Sequence, residues 1–101
     1  MSKKEVYKQK IEAELEVVQA KLAEYKAEAK SSAADVRIEY TQHVAELEKM
    51  AETINAKLKE LEISGEDTWE SLKEGLESTW NKFTTAVHET AAKFKRSDAK
   101  K

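Results

Sequence analysis

The sequence predicts an all-α fold, and three observations carry that prediction. The 101 residues include only two glycines and no proline, the residues on which turns depend most. Charged residues make up 38% and apolar residues 40% of the chain, a mixture typical of long exposed helices or coiled coil. Apolar residues recur at steps of three and four, the period of an amphipathic helix. We therefore expect a single helical domain over residues 1–101.

The first element carries one apolar stripe at heptad spacing. Its first part is Ile11, Leu15, Val18, Leu22, Tyr25 and Ala29, and its second part is Val36, Tyr40, Val44, Leu47, Ala51, Ile54, Leu58 and Leu61. Steps that mostly alternate between four and three are typical of a coiled-coil seam. Because the seven-residue step from Ala29 to Val36 keeps both parts in phase, the preferred prediction is one long helix over residues 4–62.

The segment KSSAAD, residues 30–35, is the weakest part of that helix. Ser32 occupies a position where a large apolar residue is expected. Serine and aspartate favour helix caps over helix interiors, and Asp35 is the candidate N-cap of a new helix. A break near residues 30–35 would give three segments of similar length. The alternative prediction is therefore a three-helix bundle.

A second stop lies in the segment EISGED, residues 62–67. Gly65 suits the left-handed residue that ends many helices. Asp67, with Glu70 three residues later, fits a capping box at the start of the next helix, and Ser64 is a competing cap. We predict a long antiparallel helical hairpin, or coiled coil, with its turn near residues 63–67.

The helix predicted over residues 67–96 has an eleven-residue apolar period. Eleven residues in three turns keep one face aligned with little supercoiling. We expect this face to form the seam of the hairpin, through Trp69, Leu72, Leu76, Trp80, Phe83, Val87 and Phe94. Residues 97–101 are predicted to be a frayed basic tail.

The long-helix prediction leaves an apolar surface without cover. The second helix reaches back only to about Val36, so nothing in the hairpin covers the earlier part of the stripe. An exposed stripe of this kind either packs on a second chain or, if residues 30–35 bend, folds back as the third helix of a bundle. We favour the second chain and predict a homo-oligomer, a dimer through the N-terminal arm, whose self-association surface is Ile11, Leu15, Val18, Leu22 and Tyr25.

The chain offers few residues for catalysis or metal binding. The absence of cysteine excludes disulfides, thiol catalysis and zinc sites built on sulfur, and there is no glycine-rich phosphate loop. His43 and His88 could belong to a metal-binding bundle, but Glu39 and His43 lack the Glu-x-x-His spacing of di-iron bundles. We expect no enzyme, no catalytic residues, no cofactor, no metal and no small-molecule substrate, with a metal-binding bundle using His43 and His88 as an alternative.

Charge and hydropathy limit the partners. A net charge of −2 does not predict nucleic acid, and no apolar run reaches the ~18 residues of a membrane span. The N-terminus lacks a secretory signal, so we expect a cytoplasmic protein. Two tryptophans on one amphipathic face are also typical of helices on lipid surfaces, as in exchangeable apolipoproteins. Lipid-surface binding is therefore a further alternative, disfavoured because glutamates accompany the lysines on the polar face.

Three stretches resemble a known family. GEDTWESLKEGLESTWNKFTTAVHETAAKF from Gly65, YKQKIEAELE from Tyr7 and ADVRIEY from Ala34 are similar to small bacterial coiled-coil proteins described as stress-response proteins, found in cyanobacteria and proteobacteria. The most specific features are the Gly-x-x-x-Trp turn, the Lys-x-Gly at Lys73 and Gly75, and a second tryptophan eleven residues after the first. The resemblance implies a soluble, non-enzymatic helical protein with a role under stress. It implies no catalytic or binding residues.

Overall fold

The computed structural model describes residues 2–99, with side chains described through residue 93. It contains three helices, α1 (Lys3–Lys30), α2 (Ala34–Ile63) and α3 (Trp69–Ala99), and no strand among the described residues. The all-α fold class is confirmed. Consecutive helices run antiparallel, so α1 and α3 are parallel to each other. The bundle measures 53 × 19 × 17 Å.

The chain breaks within the segment predicted to be weak, so the single helix expected over residues 4–62 is two helices. The backbone N–H groups of Ser31 and Ser32 donate to the carbonyls of Glu28 and Ala29, both at 3.2 Å. Both serine hydroxyls also donate to the Glu28 carbonyl, at 3.0 and 2.9 Å. Bonds to the residue three positions back tighten and end a helix. The three-helix alternative is therefore the arrangement that the chain adopts.

The residues after this break differ from the predicted cap. Ala33 is the N-cap of α2, with an extended backbone (φ −58°, ψ 152°) and no side-chain cap bond. Asp35 lies instead in the first turn of α2, where a negative charge suits the helix dipole. We refer to residues 31–33 as the hinge.

The second turn lies where it was predicted, but its conformation differs. Ser64 is the C-cap of α2, and its hydroxyl donates to the Leu61 carbonyl at 2.6 Å. Gly65 does not have a positive φ, because the extended Ser64 (φ −74°, ψ 151°) already redirects the chain. The Gly65 carbonyl accepts bonds from the N–H groups of Thr68 and Trp69. Asp67 lies inside this turn, so the predicted cap at Asp67 is not formed.

Helix α2 contributes most to the core and is the packing partner of both other helices. Helices α1 and α3 approach each other closely at few points. The buried core along α2 follows the predicted stripe and comprises Tyr40, Val44, Leu47, Ala51, Ile54, Leu58 and Leu61. The seven-residue step from Ala29 to Val36 therefore does not mark one continuous helix. It joins two helices that each present an apolar face to the same core.

The predicted self-association surface lies on α1, and we call it the α1 stripe. It is covered within the chain. Ile11, Leu15 and Leu22 are buried, and Val18 and Tyr25 are half-buried and pack against the same cluster. The expectation that this surface lacks a partner in the chain is corrected, because the hinge folds α1 back on α2. Self-association through α1 stays a prediction.

The predicted seam of α3 faces the core. Trp69, Leu76, Phe83 and Val87 are buried, and Leu72 and Trp80 are half-buried. The side chain of Phe94 lies outside the described residues. Helix α3 continues to Ala99, so residues 97–99 of the predicted frayed tail are helical, and residues 100–101 lie outside the description.

Candidate functional site

The N-terminal end of α1 is fastened to the C-terminal end of α2. The Lys4 ammonium donates to the carbonyls of Glu62 and Ser64, at 3.2 and 2.8 Å. Carbonyls in the last turn of a helix lack partners within the helix, and a positive charge there is favourable. Lys4 therefore caps α2 from a residue about 60 positions earlier in the sequence.

Lys8 adds an ion-pair network one turn further along α1. Its Nζ lies 3.1 Å from Glu12 Oε1 and 3.3 Å from Glu62 Oε2. The hydrogen bond with Glu12 is the main cause that raises the pKa of Lys8; desolvation opposes it, and the hydrogen bond with Glu62 adds to it. Solvent screens exposed ion pairs, so they contribute little to stability. We infer that Lys8 sets the register of α1 on α2 more than it stabilises the bundle.

An aromatic cluster joins α1 to α3 at the same end of the bundle. The rings of Tyr7 and Trp69 lie 6.4 Å apart, and Lys73 Nζ lies 5.1 Å from the Tyr7 ring centre and 5.9 Å from that of Trp69. A cation over aromatic faces at this distance is attractive. The cluster supplies a contact between two helices that otherwise approach each other little.

Tyr7 is in an unusual environment within this cluster. Burial, and to a lesser degree the charges of Glu77 and Glu14, raise its pKa to about 12. Its hydroxyl is buried without a hydrogen-bond partner among the described residues. A neutral phenol is therefore strongly favoured at this position, and ionising it would weaken the contact between α1 and α3.

A shallow groove lies between α1 and α2. Its lining includes the buried Leu22 and Ala51, the exposed Ala23, and Lys26 and Glu48, whose Nζ and Oε1 are 3.9 Å apart. The groove exists because alanine leaves space that a larger side chain would fill. It is open to solvent, so it offers no enclosed site for a small molecule.

The two histidines lie near the other end of the bundle. His43 is half-buried, with Nε2 3.3 Å from Lys93 Nζ and 3.7 Å from Glu39 Oε1, and His88 is exposed. A lysine ammonium next to the imidazole competes with a metal ion for that nitrogen. Among the side chains of residues 2–93, no three metal-binding groups cluster. The metal-binding alternative therefore gains no ligand set from these residues.

Several of these contacts were missed at the level of sequence. Tyr7 lies four residues before Ile11 and so extends the apolar stripe backwards, a signal that was available. Tyr40 was placed on the stripe, but its hydroxyl donates to the Lys93 carbonyl at 2.7 Å, a bond that depends on the register of α2 and α3. The contacts of Lys4 and Lys73 carry no signal in the sequence, because they depend on which helix ends meet.

No described helix is both long enough and apolar enough to cross a membrane.

Comparison with known proteins assigns no family to the chain. No protein-family model matches the chain, and neither characterised proteins nor solved structures give a match.

Proposed function

We propose that this protein is a non-enzymatic interaction protein with a structural or protective role in a stress response. The stress-related part rests on the resemblance of the Gly-x-x-x-Trp turn and the following helix to bacterial coiled-coil stress proteins. The interaction part rests on how the apolar surface of the bundle is covered. Both parts are open to experiment with the chain as it stands.

The observation that carries the proposal is that α1 covers a long apolar surface of α2 and carries its described polar contacts at the edges of that surface. Helix α1 buries Ile11, Leu15 and Leu22 in the core. Its described polar contacts with α2, made by lysines 4, 8 and 26, lie at the perimeter. Release of α1 would uncover apolar faces on both α1 and α2. Such faces bind the exposed apolar segments of other proteins by the same burial that stabilises the bundle.

The proposal is tested with a protein that aggregates on demand. Reduction of insulin by dithiothreitol releases a B chain that aggregates at constant temperature, and the present chain contains no cysteine that the reductant could alter. We expect the bundle to lower the light scattering of reduced insulin in proportion to its concentration. Unchanged scattering at a molar excess of the bundle would contradict the protective role.

A locked variant tests whether release of α1 is required. Lys8 and Glu62 have side-chain tips 3.3 Å apart, so the double variant Lys8→Cys, Glu62→Cys places two thiols within reach of a short bis-maleimide. The crosslinked protein should lose the protective effect. The same variant blocked with N-ethylmaleimide is the matched control and should keep it. Equal protection by both forms would place the activity on the outer surface of the closed bundle and contradict the role of α1.

Lipid-surface binding is the rival function, and the geometry supports it less. Trp69 is only 8% exposed and Trp80 is half-buried, so the face of α3 that would enter a lipid surface already packs in the core. Lipid binding would require the bundle to unfold on the surface. Flotation of the chain with anionic vesicles, absent with neutral vesicles, would favour the rival over protein protection.

A further inference from the structure

We propose that α1 exchanges between two copies of this chain, giving an antiparallel dimer in which residues 3–63 of each copy form one continuous helix. Each α1 then occupies, on the other copy, the place that it holds in the closed bundle. The inference concerns the partner of the α1 stripe. It does not depend on the protective role, because the exchange is measured by mass and crosslinking, whereas protection is measured by aggregation of insulin.

The register of α1 on α2 is the first observation. Three contacts fix it, and the midpoints of their residue numbers fall at 34, 35 and between 34 and 35: Lys4 with Ser64, Lys8 with Glu62, and Ala29 with Tyr40. The Lys4–Glu62 hydrogen bond has its midpoint at 33, and the exposed Lys26–Glu48 pair, joined through two long side chains, has its midpoint at 37. All five midpoints lie within residues 33–37, at the end of the hinge or just after it.

This centring follows from the short turn between two antiparallel helices, and it has a geometric consequence. Two continuous helices placed antiparallel about a twofold axis near residue 35 would make the same contacts between chains that one chain makes within itself. A register centred elsewhere would leave one end of each helix unpaired. Here every described α1–α2 contact can be re-formed by a second copy. The apolar phase agrees, because the seven residues from Ala29 to Val36 continue the stripe through the axis.

The hinge is the second observation. It contains no glycine or proline, and no residue with positive φ. Ser31 (φ −91°, ψ 0°) already lies in the helical region, and Ala33 has a helical φ of −58° with only its ψ of 152° outside the helical range. Straightening therefore needs no strained conformation. Exchange of an identical element across a short loop is a known route to dimers.

The weak attachment of α1 to α3 is the third observation. The backbones of the two helices approach closely at few points, although their buried side chains belong to one core cluster and Tyr7 meets Trp69. Helix α3 can therefore stay on its own α2 while α1 leaves. Closed monomer and exchanged dimer share their interfaces, so protein concentration and the conformation of the hinge set the balance between them.

The first test is refolding of the chain at low and high protein concentration, followed by light scattering and small-angle X-ray scattering. We expect a dimer fraction that grows with concentration. The maximum dimension should rise from near the 53 Å extent of the closed bundle to about 90 Å or more, the length of a 61-residue helix at ~1.5 Å per residue. A monomer alone at both concentrations would overturn the proposal.

Ala34→Pro separates the two states. Ala34 is the first residue of α2, where proline is well accepted, and the preceding Ala33 has the extended conformation that a following proline requires. Inside a continuous helix, proline removes a hydrogen bond and clashes with the preceding turn. The variant should fold as a monomer. Its association constant for the dimer should be about a hundredfold or more below that of the unmodified chain.

Lys3→Pro is the matched control. Lys3 is the first residue of α1, and Ser2 before it is extended (φ −73°, ψ 158°), so the backbone setting is the same away from the hinge. This control should dimerise as the unmodified chain does. Equal dimer fractions in Ala34→Pro and Lys3→Pro would overturn the exchange.

The opposite change should favour the dimer. Both hinge serines donate their hydroxyls to the Glu28 carbonyl, and alanine removes these bonds and has a higher helix propensity. The double variant Ser31→Ala, Ser32→Ala should raise the dimer fraction several-fold at a fixed concentration. An unchanged or lower fraction would count against the hinge mechanism.

Crosslinking distinguishes exchange from simple side-by-side association. In the Lys8→Cys, Glu62→Cys variant, bis-maleimide joins two positions within one chain of a closed bundle and joins two chains of an exchanged dimer. The isolated dimer fraction should therefore run as a covalent dimer on a denaturing gel, and the monomer fraction as a monomer. A dimer fraction that runs as a monomer would overturn the proposal even if the mass in solution is that of a dimer.

Discussion

Helices α1 and α3 both pack along α2, but they are held in different ways. Helix α3 presents large side chains to the core, with Phe83 fully buried and Trp69 and Leu76 almost so. Helix α1 presents smaller aliphatic residues and adds lysine contacts at its edges. Large aromatic side chains thus anchor α3, whereas α1, which has the more extensive contact with α2, combines aliphatic burial with perimeter contacts that high salt weakens.

The two turns of the bundle also differ in the hydrogen bonds that close them. The turn between α2 and α3 is bridged from outside by Lys4, which binds the carbonyls of Glu62 and Ser64. The hinge between α1 and α2 is closed by bonds from Ser31 and Ser32 to the last turn of α1, and the Ala33 carbonyl accepts from the Arg37 N–H of α2 at 2.7 Å. The α2–α3 turn is thus also bound by a side chain of the third helix, whereas the described hydrogen bonds of the hinge come only from the two helices that it joins.

The largest effect is expected from the core contact of α3. Phe83 is 0% exposed, and truncation of a buried phenylalanine costs ~3–5 kcal/mol. Phe83→Ala should therefore lower the free energy of unfolding by about that amount in urea denaturation followed by circular dichroism. Thr85→Ala, at an exposed position of α3, is the control and should change stability by less than ~0.5 kcal/mol. A loss below ~1 kcal/mol for Phe83→Ala would contradict the described core.

A smaller loss is expected from a core position of α1. Leu22 is buried but lines the open groove, so solvent and neighbouring side chains can occupy part of the space left by truncation. Leu22→Ala should cost ~2–3 kcal/mol, in the lower part of the range for buried leucine. Val17→Ala, on the exposed side of α1, serves as control. A cost equal to that of Phe83→Ala would remove the difference between the two helices.

The capping contact of Lys4 should contribute less still. Lys4→Met keeps most of the aliphatic stem and removes the ammonium that binds the α2 carbonyls. We expect a loss of about 1 kcal/mol at low ionic strength, since the contact is partly exposed, and a smaller loss in high salt. Lys10→Met, an exposed lysine of the same helix, should have little effect. Equal losses in both variants would indicate a general charge effect.

Tyr7→Phe should have the smallest effect near neutral pH and a clear one in alkali. The folded pKa of about 12 exceeds the ordinary value of 10.0, so the unfolded chain loses this proton first as pH rises. The stabilising contribution of Tyr7 is therefore complete below pH ~10 and is lost as pH rises towards ~12. The phenylalanine variant lacks this loss.

The measurement is a pair of denaturation series from neutral pH to pH ~12. At neutral pH the two proteins should differ by less than ~1 kcal/mol, because the buried hydroxyl has no described partner to lose. Above pH ~10 the variant should become progressively more stable than the unmodified chain. Parallel pH dependence of the two proteins would contradict the burial of the Tyr7 phenol.

Much of this fold could be predicted from the period of the apolar residues. The stripe that continues through Leu47, Ile54 and Leu61 faces the core, and α3 presents Leu76, Phe83 and Val87 as its eleven-residue period indicates. The hinge could not be decided in the same way. Because Ala29 and Val36 stay in phase, one long helix and two packed helices satisfy the same pattern, and a few weak bonds at Ser31 and Ser32 select between them.

The candidate site was less predictable than the core. Burial follows from a pattern along one helix, but the contacts of Lys4 and of Lys73 join helix ends that are far apart in sequence. To predict such contacts, one must know the register between the helices. The apolar pattern fixes that register only to within one helical turn. The predicted dimer surface was identified as an apolar surface, but its cover in the closed bundle is α2 of the same chain.

The positions of the two tryptophans make the chain its own optical probe. Trp69 lies against Tyr7 of α1, whereas Trp80 packs on Phe83 of its own helix at 5.6 Å. In a Trp80→Phe variant, the fluorescence emission of Trp69 should shift to the red when α1 dissociates from the bundle and exposes the Trp69 indole to water. When α1 is exchanged, Tyr7 of the second copy covers the same indole and the emission should not move. One fluorescence spectrum would thus separate an open bundle from an exchanged one.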